Sequence, residues 1–327
     1  MNIVVTGSIA TDHLMTFPGR FRELLVDGAL DNVSLSFLVD ELDIKRGGVG
    51  ANIAFGLGCL GVTPALVGAV GEDFTEYREW LEAHGVDTES VRVSETRHTA
   101  RFLCTTDSDQ NQIASFYPGA MQEAREIELA PIVDRLGGID LVVISPNDPA
   151  AMTRHTEECR ARGYPFMADP GQQLASLNGD QIRGLVDDAT YLITNQYERT
   201  LLTQKTGWSD EEISGKVGTW ITTRGPEPVT VHRRGEPDLV VKPPRERRLT
   251  DPTGVGDALR AGFLAGVAAE LSLERSVQIG CMLATLVIES VGTQEYRFAP
   301  AEFEQRFEEA YGADAAAQLE PMLLRSG

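Results

Sequence analysis

The chain has 327 residues, 42% of them hydrophobic, with a formal net charge of −20 and a pI near 4.6. That is ample apolar material for a large core, while so acidic a balance excludes a broad nucleic-acid-binding face. No run of about 18 or more apolar residues occurs, which excludes a transmembrane helix and with it a membrane partner.

The N-terminal stretch Met1-Asn2-Ile3-Val4-Val5-Thr6-Gly7 has no basic region before its apolar residues, so it reads as a first buried strand rather than a signal peptide. Further core strands are predicted at Ala65–Val70, Asp140–Ser145, Pro165–Asp169, Tyr191–Thr194 and Trp220–Thr223. Amphipathic stretches lie between them at Phe74–Ala83, Ala150–Ala161 and Gln196–Lys205. Val229–Arg233 and Leu239–Lys242 form a predicted hairpin around Gly235. Gly254–Leu271, Leu273–Ser290 and Pro300–Tyr311 read as helices. Strands that alternate with helices predict an α/β fold with a mostly parallel, doubly wound sheet.

Two segments break this rhythm. Leu14–Lys45 contains the run Ser34-Leu35-Ser36-Phe37-Leu38-Val39, and His98–Tyr117 places β-rich runs on either side of Asp107-Ser108-Asp109-Gln110. They predict a small inserted β-sheet, a lid over the carboxyl ends of the main strands, where open α/β sheets bind ligands. The expected division is 1–13, 47–97 and 118–327 for the α/β domain, with 14–46 and 98–117 for the lid.

The four cysteines, Cys59, Cys104, Cys159 and Cys281, lack metal or redox spacing and are too sparse for a disulfide scaffold, which fits a reducing cytoplasm. The five scattered histidines form no zinc motif.

The most informative segment is Thr250-Asp251-Pro252-Thr253-Gly254-Val255-Gly256-Asp257-Ala258, which runs into an apolar helix. A glycine-rich turn at a helix start aims backbone N–H groups outward, where the helix dipole also favours an anion. Asp257 falls in the first helical turn, placed to take a proton from an attacking hydroxyl. The plain alternative is a loop with a capping Asp; two glycines and two flanking acids exceed what capping needs. Upstream, Arg46-Gly47-Gly48-Val49-Gly50-Ala51-Asn52 places a glycine pair before a helix. Gly48 there lets a substrate lie against backbone, and Asn52 can donate to and accept from sugar hydroxyls. Gly7-Ser8-Ile9-Ala10-Thr11-Asp12 leaves the first strand, and the Asp12 carboxylate can accept from two vicinal hydroxyls. Gly56-Leu57-Gly58-Cys59-Leu60-Gly61 matches the dinucleotide pattern but closes a predicted helix instead of opening one, so helix packing and a glycine cap explain it better. No lysine-containing phosphate loop occurs.

The 250–258 segment resembles the C-terminal signature of ribokinase-like (PfkB) kinases, Asp-Thr-x-Gly-Ala-Gly-Asp, with Pro252 and Val255 replacing the usual Thr and Ala. The family's N-terminal signature also has a Gly-Gly pair followed by Asn. The resemblance implies transfer of a phosphoryl group from ATP to a hydroxyl. It implies Asp257 as base, with an anion hole from the amides of Gly254, Val255, Gly256 and Asp257 itself. Ser8, Asp12, Gly48 and Asn52 would be substrate contacts. Asn195-Gln196-Tyr197-Glu198 resembles the family's Asn-x-x-Glu motif, which implies that Glu198 handles Mg2+, often through water; a capped helix start is the alternative. Thr222-Thr223-Arg224-Gly225 resembles its nucleotide-contacting strand end, so that Asn195, Thr223, Gly225 and Gly256 would face ATP. The resemblance leaves room for K+ as a further ion.

Gly7–Met15, Ser34–Asp40, Thr99–Asp107, Ile113–Met121, Asp169–Ala175 and Glu289–Glu295 look like adenosine kinases of the mycobacterial type. On that reading Phe102 and Phe116 sandwich a purine, and Gln172 and Gln173 pair with its edge. Core packing in the lid is the alternative for the two rings. A ribose or fructose kinase would share the catalytic residues, and a non-catalytic nucleoside-binding protein would not need an intact Asp257. Related kinases often pair through the lid, so a homodimer is expected.

Overall fold

The computed structural model describes residues 1–24, 36–319 and 322. In chain order its elements are β1 (Ile3–Thr6), β2 (Ala10–Thr16), α1 (Phe21–Leu24), β3 (Glu41–Gly47), α2 (Val49–Cys59), β4 (Ala65–Val67), β5 (Ala69–Val70), α3 (Thr75–Ala83), β6 (Arg92–Val93), β7 (Ala100–Thr106), β8 (Gln112–Tyr117), α4 (Ala130–Leu136), β9 (Leu141–Ile144), α5 (Pro149–Arg162), β10 (Phe166–Ala168), α6 (Gly179–Val186), β11 (Tyr191–Asn195), α7 (Gln196–Thr206), α8 (Asp210–Lys216), β12 (Thr219–Arg224), β13 (Glu227–Arg233), β14 (Leu239–Val241), α9 (Val255–Ala268), α10 (Leu273–Ile288), α11 (Pro300–Tyr311) and α12 (Ala313–Ala316).

The main sheet has eight strands in the order β14-β13-β12-β11-β10-β9-β1-β4. β4 to β12 run parallel, and β13 and β14 add an antiparallel edge. Helices cover both faces, which is why the strands read as continuous apolar runs rather than alternating ones. Ile3 and Val5 face one core, shared with α2, α9 and α10, while Val4 faces another, shared with α5, α6 and α7. β1 is followed on one side by β4 and later on the other by β9, so the strand order reverses there.

The predicted elements of the main sheet form within a few residues of their expected ends. Ala65–Val70 divides at Gly68 into β4 and β5, and β5 leaves to pair with β6. Gly68 faces the Gly7 carbonyl so closely that a Cβ would stand 2.8 Å from it. The Gly56–Gly61 segment closes α2, as expected of a glycine cap: Gly61 has φ +75°.

The second sheet, β3-β2-β7-β8, is the predicted insertion. It begins at Ala10 and ends at Gly47, a few residues outside the expected 14–46, because the chain enters β2 almost directly after the turn at Gly7 and Ser8. Asp12 therefore sits inside a strand. Of the predicted run Ser34–Val39, Ser34 and Leu35 lie outside the described residues, and Ser36–Val39 are not strand: Phe37 packs tilted against Phe17 and edge-on against Phe21. The hairpin turn after β7 is organised by Asp107, whose carboxylate accepts from the amides of Phe21, Asp109 and Asn111.

Candidate active site

A cleft of about 380 Å³ opens at the carboxyl ends of β1, β9 and β10, beside the strand-order reversal. Ligands bind open α/β sheets at that kind of place. Loops after these strands supply Ser8, Pro146, Asn147, Gln172 and Gln173. The second sheet supplies Asp12, Phe102 and Phe116 as its roof, and the starts of α2 and α9 supply Gly48, Asn52, Gly254 and Asp257. All eight predicted substrate residues thus line one cavity together with the predicted base.

Backbone constraints shape both helix starts. Gly48 precedes α2 with φ +95°, and a Cβ there would meet the Ser8 carbonyl at 2.6 Å. Gly254 precedes α9 with φ +78°, a left-handed conformation that favours glycine. The Ser8 hydroxyl accepts the Val49 N–H at 3.0 Å, which leaves its own proton to donate into the cleft. Asp251 ties the α9 turn down, accepting from the Thr253 amide at 2.9 Å and the Gly292 amide at 3.0 Å. In the first turn of α9 the Gly256 and Asp257 amides have no backbone acceptor among the described residues, and the Val255 amide makes only a long bond of 3.4 Å to the Pro252 carbonyl.

Asp257 is held from across the cleft. Asn52 Nδ2 donates to Asp257 Oδ2 at 2.8 Å. The Asn52 carbonyl oxygen in turn accepts from Gln294 Nε2 at 2.9 Å and shares the one Thr293 hydroxyl proton, also at 2.9 Å, with the Arg46 carbonyl. Both ends of the Asn52 amide are therefore engaged within the protein, so in this geometry its first task is to orient Asp257. Burial pushes the Asp257 carboxyl up to about 6 against the pull of Arg260 and Asn52, and the Asp169 and Glu198 carboxylates push the same way as burial. Burial likewise pushes Asp12 up to about 6. Both stay mostly ionised at neutral pH and poised close to it, as proton-handling groups tend to be.

On the roof, Asp12 pairs with Phe102, and Phe102 pairs with Phe116, at one register level across β2, β7 and β8. Cross-strand partners share a face, so the two rings and the carboxylate point into the cleft together. Phe116 is 50% exposed, which does not fit the alternative of lid core packing for that ring. Gln172 is exposed at the cleft edge. The Gln173 amide is spent on the loop itself, donating to the Asn147 carbonyl at 2.8 Å and accepting from Ser176 Oγ at 2.8 Å.

Asn195, Thr223 and Gly225, expected to face ATP, do not line this cleft. Asn195 and Thr223 are register partners on β11 and β12, and Gly225 turns β12 into β13 with φ +61°. Asn195 and Glu198 form a reciprocal capping box, Oδ1 accepting the Glu198 amide and Oε2 accepting the Asn195 amide, both at 2.8 Å. Burial raises the Glu198 carboxyl, with Arg260 pulling it back. Among the described residues no cluster of three or more His, Cys, Asp or Glu could hold a metal. One Glu198 oxygen is taken by the Asn195 amide, and its carboxylate is the kind of hard oxygen donor that a magnesium ion would take directly or through water.

Sequence reasoning missed several cleft residues. Asn147 is 1% exposed, and its Nδ2 is buried with no partner among the described residues. Thr293 and Gln294 were missed as the far side of the Asn52 network, and Arg260 as the partner of Asp169. Of these only Arg260 carries a local signal, its charge between apolar neighbours in Leu259-Arg260-Ala261.

A carboxylate beside a helix-start anion hole, facing a cavity lined for a hydroxylated ligand, defines a small-molecule phosphotransferase. The chain belongs to the pfkB family of carbohydrate kinases, whose pattern matches residues 6–299, and it is an ATP-dependent kinase. A nucleoside kinase of Methanothermobacter thermautotrophicus is 30% identical over 270 residues, 82% of this chain and 86% of the relative. The nucleoside kinase of Burkholderia thailandensis in complex with inosine has a TM-score of 0.81 and 37% identity, covering 95% of this chain and 98% of that one. A ribokinase from Cryptococcus neoformans var. grubii in complex with ADP shares the fold, with a TM-score of 0.75 at 20% identity over 93% of this chain and 99% of that one. The two relatives at 30% and 37% identity are thus nucleoside kinases, a coarser result than the expected mycobacterial-type adenosine kinase.

Proposed function

We propose that the protein transfers the γ-phosphoryl group of ATP to the 5′-hydroxyl of adenosine, giving AMP and ADP. The observation that carries the nucleoside part is the row Asp12–Phe102–Phe116 on the cleft roof. A free sugar uses a carboxylate but has no aromatic ring to stack, whereas a nucleoside uses both. The inosine complex of the Burkholderia relative supports the same class of substrate.

In this reading Asp12 accepts from the vicinal ribose hydroxyls, and Gly48 lets the sugar lie against backbone. Phe102 and Phe116 take the faces of the purine. Gln172 and the buried Asn147 amide serve its edge. Asp257 takes the proton of the 5′-hydroxyl as that oxygen bonds to the γ-phosphorus; the bond to the bridging oxygen breaks and its electron pair leaves with ADP. The amides of Val255, Gly256 and Asp257 face the developing charge. Asn195, Thr223 and Gly225 lie on the ATP side. Magnesium, when bound, neutralises phosphate charge. The second sheet closes over the substrate and excludes water, which would otherwise accept the phosphoryl group.

The test is kcat/KM for adenosine, inosine, ribose and fructose with ATP. Adenosine is expected to lead. A lead for inosine would keep the nucleoside class and remove adenosine; a lead for a free sugar would overturn the nucleoside reading.

A further inference from the structure

One buried ion pair has no part in the scheme above. Asp169 leaves the end of β10, and Arg260 lies one turn beyond Asp257 on α9; both are buried. Arg260 Nε donates to Asp169 Oδ2 at 2.5 Å and Nη2 donates to Oδ1 at 2.6 Å. Two parallel bonds fix the plane of the guanidinium. The third nitrogen, Nη1, has no protein acceptor among the described residues. It lies against the first turn of α9: a Cβ built on Gly256 would stand 2.9 Å from it. The second glycine of the Gly-Val-Gly turn therefore makes room for a cation as well as for a phosphate. A buried ion pair is by itself weak evidence for stability, so its place beside the base points to another task.

The charged groups facing Asp257 come from three elements. Arg260 is on its own helix, Asp169 at the end of β10 and Glu198 on α7; Asn52 on α2 adds a neutral donor, and the buried Tyr296 hydroxyl lies behind. Three carboxylates thus share one guanidinium. We propose that Arg260, anchored by Asp169, is a positioning residue for phosphoryl transfer, keeping the Asp257 carboxylate charged and in place among like charges. The proposal rests on Asp257 being the base. Asp169 also begins the loop that carries Gln172 and Gln173, so the pair joins that side of the cleft to the catalytic helix.

The two partners act on Asp257 with opposite sign. Removing the guanidinium removes what favours the carboxylate, and removing the Asp169 charge removes what disfavours it. Simple loss of packing produces no such opposition. The experiment is the pH profile of kcat/KM, which reports the free enzyme, for wild type, Arg260→Met, Arg260→Lys and Asp169→Asn. The acid limb is expected to move up by about one pH unit or more in Arg260→Met. It should stay near its wild-type place in Arg260→Lys and move down in Asp169→Asn. Limbs that stay put, or move the same way in Arg260→Met and Asp169→Asn, overturn the proposal. If Arg260→Met does not fold, an unmoved limb in Asp169→Asn overturns it alone. Asp257→Asn separates the two claims: near-normal turnover there removes the base itself, whereas a dead Asp257→Asn with unmoved limbs removes only the role of Arg260.

Discussion

Asp257→Asn should damage turnover and stabilise the fold at once. Asparagine can still accept the Asn52 Nδ2–H at its carbonyl oxygen, so the network through Thr293 and Gln294 survives. On the proposed chemistry what is lost is the general base, a loss of on the order of 10²–10⁴ in rate. Nucleoside affinity should hardly change, because Asp12 and the two rings are untouched. Stability should move the other way. Burial raises the Asp257 carboxyl from 3.8 to about 6. The native state therefore binds more protons than the unfolded chain between those values, and stability drains away as pH rises through that window. A shift of about two units is at most roughly 3 kcal/mol of destabilisation at neutral pH. Asparagine carries no charge and removes it. For a chain of 327 residues, about 2.1 cal/mol/K per residue turns that into a gain of roughly 4 °C in melting temperature. The gain should be present at pH 7.5 and nearly gone at about pH 4, where the wild-type carboxyl is protonated too. Calorimetry at the two pH values, beside steady-state kinetics, checks both halves. An Asn variant that turns over near normally, or that melts no higher than wild type at pH 7.5, would refute the reasoning.

Phe102→Ala should weaken adenosine use about 5- to 150-fold, since base–aromatic stacking is worth roughly 1–3 kcal/mol, and should affect ribose much less; equal losses on both would remove the ring from base recognition. Asn52→Ala strips the charged hydrogen bond from Asp257, worth about 1.5–3 kcal/mol, so kcat should fall roughly 10- to 150-fold, and a pure rise in KM would return Asn52 to sugar binding alone. Nucleoside binding should protect the amides of β2, β7 and β8 from hydrogen exchange with Gly47 and Gly48 as the hinge, unless the roof is already rigid and exchange stays unchanged. The second sheet exposes Leu42, Ile44, Ile113 and Tyr117, between 40% and 57%, and its outer strands have open edges; a homodimer through this sheet is expected, and light scattering that finds only monomer at micromolar concentration would count against it.

The sequence by itself determined whatever depends on neighbours along the chain. Parallel strands covered on both faces need unbroken apolar runs, so β1, β9 and β11 were legible as Ile3–Thr6, Asp140–Ser145 and Tyr191–Thr194. The anion turn was legible because its demands are local: Gly254 for a left-handed φ and Asp257 three residues on. Tertiary structure decided the roles that depend on distant partners. Asn52 read as a sugar contact until its amide met Asp257, 205 residues away, and Gln294, 242 residues away. Gln173 read as a base contact, yet its amide is taken up by Asn147 and Ser176. Asp169 and Arg260 are 91 residues apart, and nothing local links them; one helix turn and one strand end set them face to face. The row of Asp12, Phe102 and Phe116 exists only through strand register, and a slip of one residue would have turned a ring out to solvent. A side chain's chemistry is written in its own residue, but whether its hydrogen bonds and charge remain free for a ligand is settled by what the fold places against it.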